Sequence, residues 1–215
     1  NQILYIGLTE VIPMYDIITM GSNTEDVFVH TDFDLITRDG KQEMAYPVGD
    51  KILITEKREF TGGGGTNTGV AFSRMGFKTA YLGMLGRDET GKRIYRMLKE
   101  ENIEFIGAVG DQSGYSVVLD AQGHDRTILA FKGCNNDLTK DKVDLKRLDS
   151  HWLYCSSMLG ESLETMKAVI AYSEDKGVKI AYNPSSYQAE QGLDELGGIL
   201  KRINILILNK EEALA

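Results

Sequence analysis

Four consecutive glycines, Gly62–Gly65, stand between Thr61 and Thr66-Asn67, and an apolar-periodic helical pattern begins directly after them. Without Cβ atoms their backbone N–H groups are unshielded, so a polar ligand can lie against the main chain. Thr66 or Asn67 is expected to cap the helix, whose first-turn amides add the positive end of a dipole. Asn67 carries both a donor and an acceptor, which suits a hydroxylated ligand. A flexible linker would be followed by a polar spacer, and none is present. Two phosphate-loop readings fail on the letters. No Lys followed by Ser or Thr comes after the last glycine, and Asn67 or Thr68 stands where a G-x-G-x-x-G loop needs its third glycine. The loop is expected to hold a small polar molecule by another geometry.

At 215 residues the chain has room for one α/β domain with a small appendage. A net charge of -8 and a pI of about 5.0 argue against a surface for nucleic-acid phosphates. Cys134 and Cys155 lie far apart with no C-x-x-C partner, which points to a reduced, cytoplasmic protein without structural zinc. The longest apolar run, Ile205–Leu208, is too short to span a bilayer, so no membrane partner is expected. No signal-peptide pattern is present, and the chain does not begin with Met, so residues upstream of Asn1 are expected.

Short β-rich runs alternate with helical-period stretches, the pattern of a parallel sheet covered by helices. Asp16–Gly21, Thr79–Leu85, Trp152–Cys155, Lys179–Tyr182 and Ile205–Leu208 read as buried strands. Thr90–Glu101 puts Ile94, Met97 and Leu98 on one helical face. Leu163–Lys176 repeats this with Met166, Val169 and Ile170 and places Gly177 at C′, and Leu193–Ile203 repeats it with Leu196, Ile199 and Leu200. Two segments break the rhythm. Phe33–Phe60 is polar with alternating apolar positions and turns at Asp39-Gly40 and Val48–Asp50. Tyr115–Phe131 reads as a hairpin around Ala121–Asp125. Together they predict a small antiparallel sheet standing off the main domain as a lid, with Val117, Leu119, Ile128 and Ala130 on one apolar face.

Several motifs then fall in a recognisable order: Gly21 and Asp26; Gly62–Gly65 with Asn67, Gly76 and Gly86; Gly86, Asp88 and Gly91; Phe131–Asn135; Asn183-Pro184; and Asn209 with Glu212. In this order they resemble the ribokinase family, also called the PfkB carbohydrate kinases, over nearly the whole chain. Gly69 departs mildly, standing where that family has Ser, Thr or Ala. The resemblance implies a three-layer α/β core with a β lid. It implies transfer of the γ-phosphoryl group of ATP, with Mg²⁺, to a hydroxyl of a sugar or nucleoside. It also implies a homodimer in which lids clasp each other. The family's second signature, Asp-Thr-x-Gly-Ala-Gly-Asp, has no counterpart here, so the catalytic Asp is expected beyond residue 215.

On the resemblance, Asp26, Gly62, Gly63 and Asn67 bind the acceptor, while Asn183, Asn209 and Glu212 serve the nucleotide, with Glu212 orienting Mg²⁺ through water. Asp26 is placed after the first strand at the sheet's C-terminal edge, where open α/β sheets bind ligands. Its carboxylate can accept two hydroxyl hydrogen bonds. Glu25 reads as solvent-facing. Asp88 reads as a helix cap, and Glu211-Glu212, without the resemblance, as an acidic first turn. Arg126 reads as a solvated strand residue, and His30, His124 and His151 show no metal spacing. Two other classes stay open: a non-catalytic sugar-binding protein of the same fold, and a nucleotide-cofactor oxidoreductase on a doubly wound sheet.

Overall fold

The computed structural model describes residues 14–31, 35–120 and 126–214. The expected turn at Ala121–Asp125, which contains His124, and the first residues of the Phe33–Phe60 segment lie outside the described residues. In chain order the elements are β1 (Tyr15–Met20), β2 (Thr24–His30), β3 (Leu35–Arg38), β4 (Lys41–Met44), β5 (Glu56–Gly62), α1 (Gly64–Arg74), β6 (Thr79–Leu82), β7 (Met84–Gly86), α2 (Glu89–Glu100), β8 (Glu104–Phe105), β9 (Ala108–Gly110), β10 (Gly114–Asp120) and β11 (Arg126–Phe131). Short 3-10 turns lead to β12 (Ser150–Ser156), α3 (Gly160–Asp175), β13 (Lys179–Asn183), α4 (Ser186–Ala189), α5 (Gly192–Leu200), β14 (Ile205–Leu206) and α6 (Lys210–Leu214).

Six strands form the main sheet in the order β14-β13-β12-β1-β6-β8, and every pairing is parallel. The C-terminal ends of these strands therefore share one edge, as α/β crossovers require. Ile18, Leu153 and Ile180 lie side by side in register, as do Cys155 and Tyr182. They are buried with Met166, Val169 and Ile170 of α3 and Leu196 and Ile199 of α5, the helical faces expected from their spacing. Gly177, at φ +77°, ends α3: its N–H bonds to Glu174 O (2.8 Å) and the Val178 N–H to Ser173 O (3.0 Å), a Schellman closure. Among the described residues no helix is long and apolar enough to cross a membrane.

The other face of the sheet is covered over β1 and β6 by α1, with Phe72 against Ile17 and Tyr154. Over β12–β14 no element among the described residues covers it. A groove of about 1010 Å³ runs there, lined by Phe72, Trp152, Tyr154, Ala181, Ile205 and Ile207 among others. Ile205–Leu208, expected to be buried, are 38–44 % exposed. The reason is positional: β14 is the outer strand, and no described element lies over its side. Thr79–Leu85 is likewise not one strand. It breaks at Gly83, so that β6 stays in the main sheet while β7 pairs with β9.

A second sheet has the order β11-β10-β2-β5, antiparallel at β11-β10 and β2-β5 and parallel at β10-β2. The Phe33–Phe60 segment contributes β5 to it, while β3 and β4 form a hairpin of their own. β2 is not announced by apolar spacing, since only Val27 and Val29 of its alternating set are aliphatic and buried. The β10–β11 register pairs Val117 with Leu129 and Val118 with Ile128. Directly opposed residues share a face, so Val117 and Leu119 lie on one side and Ile128 and Ala130 on the other. The single apolar face expected from those four residues does not exist; both faces are partly apolar.

Candidate functional site

Gly63 adopts φ +102°, and a Cβ there would stand 2.4 Å from Ser22 O and 2.5 Å from Asn23 Cα. At Gly62 a Cβ would lie 1.9 Å from Asp26 Oδ2. The glycine run thus lets the β5–α1 junction lie directly on the turn that leaves β1. Helix α1 starts inside the run, with Gly63 as N-cap and no side-chain cap, which corrects the cap expected from Thr66 or Asn67. Thr66 is buried and its hydroxyl donates back to Gly62 O (2.6 Å), and Asn67 is exposed with its N–H on Gly63 O (2.9 Å). The side chain of Asn67 is accordingly available at the surface of the first turn.

Asp26 lies within β2 rather than in a loop, opposite Phe60 on β5 and Ser116 on β10. It is half-buried, and Thr24 Oγ1 donates to its Oδ1 at 2.8 Å. Phe28, two residues on, shares this face and meets Phe60 edge to face, with centroids 5.6 Å apart. Carboxylate and aromatic surface therefore stand together beside Gly62. Glu25 points the other way and is buried, not solvent-facing: Arg93 and Thr90 of α2 both donate to its carboxylate.

Asn183 ends β13 and Asn209 and Glu212 follow β14, all on the sheet edge that β1 shares. Asn183 Nδ2 donates to Ile207 O (2.8 Å). Asn209 Oδ1 accepts the Glu212 N–H (2.8 Å), and the Asn209 N–H donates to Glu212 Oε2 (3.1 Å). This is a reciprocal capping box for α6. Among the described residues no three His, Cys, Asp or Glu side chains are grouped to hold a metal. Glu212 keeps Oε1 outside the capping pair, which fits a magnesium ion bound through water and phosphate oxygens rather than in a protein cage.

The sequence left the buried amide pair at the base of the second sheet unread. Asn23 is fully buried; its Nδ2 donates to Tyr81 Oη (2.7 Å) and Met84 O (2.6 Å). Asn135 Oδ1 accepts the Asn23 N–H (3.0 Å), and its Nδ2 donates to Asn23 O (2.7 Å) and Lys132 O (2.9 Å). Asn135 at least sits inside a motif; a lone Asn23 between Ser22 and Thr24 gives no signal.

Asp88 caps α2 as expected, accepting the Gly91 N–H (2.9 Å), and also takes the N–H (2.8 Å) and hydroxyl (2.6 Å) of Ser113. Burial pushes its carboxyl up, but these donors outweigh burial and hold it below the usual carboxylate range. A depressed carboxylate stabilises the fold above its unfolded pKa of about 3.9 and loses that contribution as pH falls through the folded value. The stability gap between wild type and Asp88→Asn should be widest near neutral pH, about 1 kcal/mol, and narrow toward pH 3. Urea melts across that range check it, and a constant gap would contradict it.

Residues 30–215 match the family described as pfkB family carbohydrate kinase. That span holds Gly62, Gly63, Asn67, Asn183, Asn209 and Glu212, whereas Asp26 precedes it. An uncharacterized sugar kinase of Archaeoglobus fulgidus is 26% identical over 151 residues, covering 66% of this chain and 58% of its own length. A ribokinase of Haemophilus influenzae is 28% identical over 156 residues, covering 71% of this chain and 49% of its own. The chain thus spans about half the length of the curated relatives it matches. Ribokinase of Arabidopsis thaliana, solved with ribose and ATP, has a TM-score of 0.72 at 20% identity, covering 94% of this chain and 61% of that one, a likeness of fold. The family match removes the oxidoreductase alternative. The chain belongs to the pfkB family of carbohydrate kinases.

Proposed function

We propose that this chain forms the acceptor-binding part of a kinase that transfers the γ-phosphoryl group of ATP to a hydroxyl of a sugar or closely related molecule. One observation carries the reading: Asp26 Oδ2 occupies the space that a Cβ on residue 62 would fill, beside the glycine run and the Phe28–Phe60 pair. Two adjacent hydroxyls on the carboxylate and ring C–H groups on the aromatic surface make a sugar the fitting class. Asn67 holds a further hydroxyl, and the Gly62-Gly63 backbone lies against the ring. Asn183, Asn209 and Glu212 face the nucleotide side; ATP supplies the phosphoryl group and Mg²⁺ offsets the charge on its oxygens. The second sheet acts as a lid that keeps water from competing as acceptor.

The general base is assigned to a further segment of the protein carrying a Gly-Ala-Gly-Asp-like loop. The groove over β12–β14, which no described element covers, supports a further layer of chain on that face. Tyr115, Leu129 and Phe131, 40–56 % exposed on one face of the second sheet, support a two-fold contact between lids, with light scattering as its check. Both cysteines are buried and unpaired, in keeping with a reducing cytoplasm. The test is ADP release by the longest native reading frame with ATP and D-ribose, D-fructose, a keto-deoxy sugar acid or adenosine. Turnover with one acceptor, lost in Asp26→Ala, is expected. Sugar binding without any turnover would instead support the non-catalytic reading.

A further inference from the structure

The two central strands of the second sheet are both held by the N-terminal end of one core helix. On β2, Glu25 accepts from Thr90 Oγ1 and Arg93 Nη2 of α2, and Arg93 also reaches Thr90 (3.1 Å). Immediately before β10, Ser113 donates both its N–H and its hydroxyl to Asp88, the N-cap of the same helix. These grips come from independent residues at separate points in the sequence. The strands they hold are direct neighbours, with Tyr115 beside Glu25 and Ser116 beside Asp26. Glu25 is only 8 % exposed, so its carboxylate exchanged most of its water for these donors and for the positive end of the α2 dipole. Lys57 and Glu59 of β5 lie on the Glu25 face and pair with each other, which leaves Arg93 to Glu25.

Successive residues of a strand point to opposite faces, and one peptide unit joins them. A carboxylate fixed on the α2 side at Glu25 therefore fixes the direction of Asp26 on the other side. We propose that the N-terminal end of α2, from Asp88 to Arg93, is a latch that sets the pose of the second sheet, and that Glu25 is the positioning residue for Asp26. Glu25 touches no acceptor; it acts through the strand. The role assigned to Asp26 rests on the proposed kinase reading, but the latch itself does not.

Hydrogen exchange on the protein of the longest native reading frame tests the latch without any ligand. In Glu25→Ala, amides of β2 and β10 should exchange about tenfold faster, while those of β12 and β13 stay at wild-type rates. Arg93→Ala should reproduce this, and the double variant should be no worse than either single one, because both remove the same contact. Glu25→Gln, which keeps an acceptor for Thr90, should fall between wild type and Glu25→Ala and guards against a misfolded alanine variant. Unchanged exchange in β2 and β10, an equal rise in every strand, or additive single effects would each overturn the latch. In the ADP-release assay, Glu25→Ala should raise the acceptor KM about tenfold at constant kcat, with Glu25→Gln restoring part of it. An exchange effect with an unmoved KM removes the positioning role of Glu25. Loss of turnover in every acceptor assay, with the exchange effect intact, counts against the kinase reading alone.

Discussion

Gly62→Ala is expected to weaken acceptor binding about 10²–10⁴-fold, nearly as much as deleting the carboxylate in Asp26→Ala. The added methyl would meet Asp26 Oδ2 at 1.9 Å and Cγ at 2.7 Å, so the carboxylate must swing out of its place. The atoms in the way are the end of a rotatable side chain, and Gly62 does not need a positive φ, so the fold should stay within about 1.5 kcal/mol of wild type. Two hydroxyl bonds to a charged acceptor are worth about 1.5–3 kcal/mol each, which sets the size of the loss. Calorimetric titration with the acceptor identified by ADP release, alongside urea unfolding, separates the two quantities. Asp26→Ala combined with Gly62→Ala should be no weaker than Asp26→Ala alone. Normal sugar affinity in Gly62→Ala would show that Asp26 is not the contact.

That prediction shows what the letters carried and what they did not. The glycine run was legible as a place of close approach, because four missing Cβ atoms have few other uses. What approaches was not legible. On their Cβ side all four glycines meet protein: Gly62 the Asp26 carboxylate, Gly63 the Ser22-Asn23 backbone, Gly64 the Ser156 side chain and Gly65 Tyr81 and Gly21. The main sheet was legible because β1, β12 and β13 each carry consecutive apolar residues, Ile17-Ile18, Trp152–Cys155 and Ile180–Tyr182, a signal local to each strand. β2 was not, because one of its faces carries Glu25 against Arg93 and a partner 68 positions away cannot be read from local spacing. The apolar face of the hairpin failed for a related reason. Alternation within each strand was read correctly, but which residues of β10 and β11 share a face depends on their register, which alternation does not give. Asn209-x-x-Glu212 was legible as a motif, and its local job, a capping box, follows from spacing alone.

Asn135→Ala should destabilise the fold by about 3–5 kcal/mol, far more than its place in a short 3-10 turn suggests. Its amide makes four bonds inside the protein: two donated, to Asn23 O and Lys132 O, and two accepted, from the Asn23 N–H and Nδ2. Alanine leaves the Asn23 N–H and C=O unpaired in a site where Asn23 is 0 % and Asn135 2 % exposed. Asn23 Oδ1 already lacks a partner there, so rotating the amide has nothing to gain but one substitute bond. Water is a poor rescuer, because Gly114 packs so closely that a Cβ on it would stand 2.4 Å from Asn135 Nδ2. The strands β2 and β10 both leave the core at this pair, so the loss should fall on the base of the second sheet as well as on global stability. Asn135→Asp tests the direction of the bonds: it keeps the two acceptor contacts, loses both donations and places a carboxylate against two carbonyls, so it should be no more stable than alanine. Gly114→Ala, which pushes on the same amide, should destabilise in the same sense and combine with Asn135→Ala less than additively. A loss below about 1 kcal/mol for Asn135→Ala in urea unfolding would mean that the pair is not the clamp its hydrogen bonds describe.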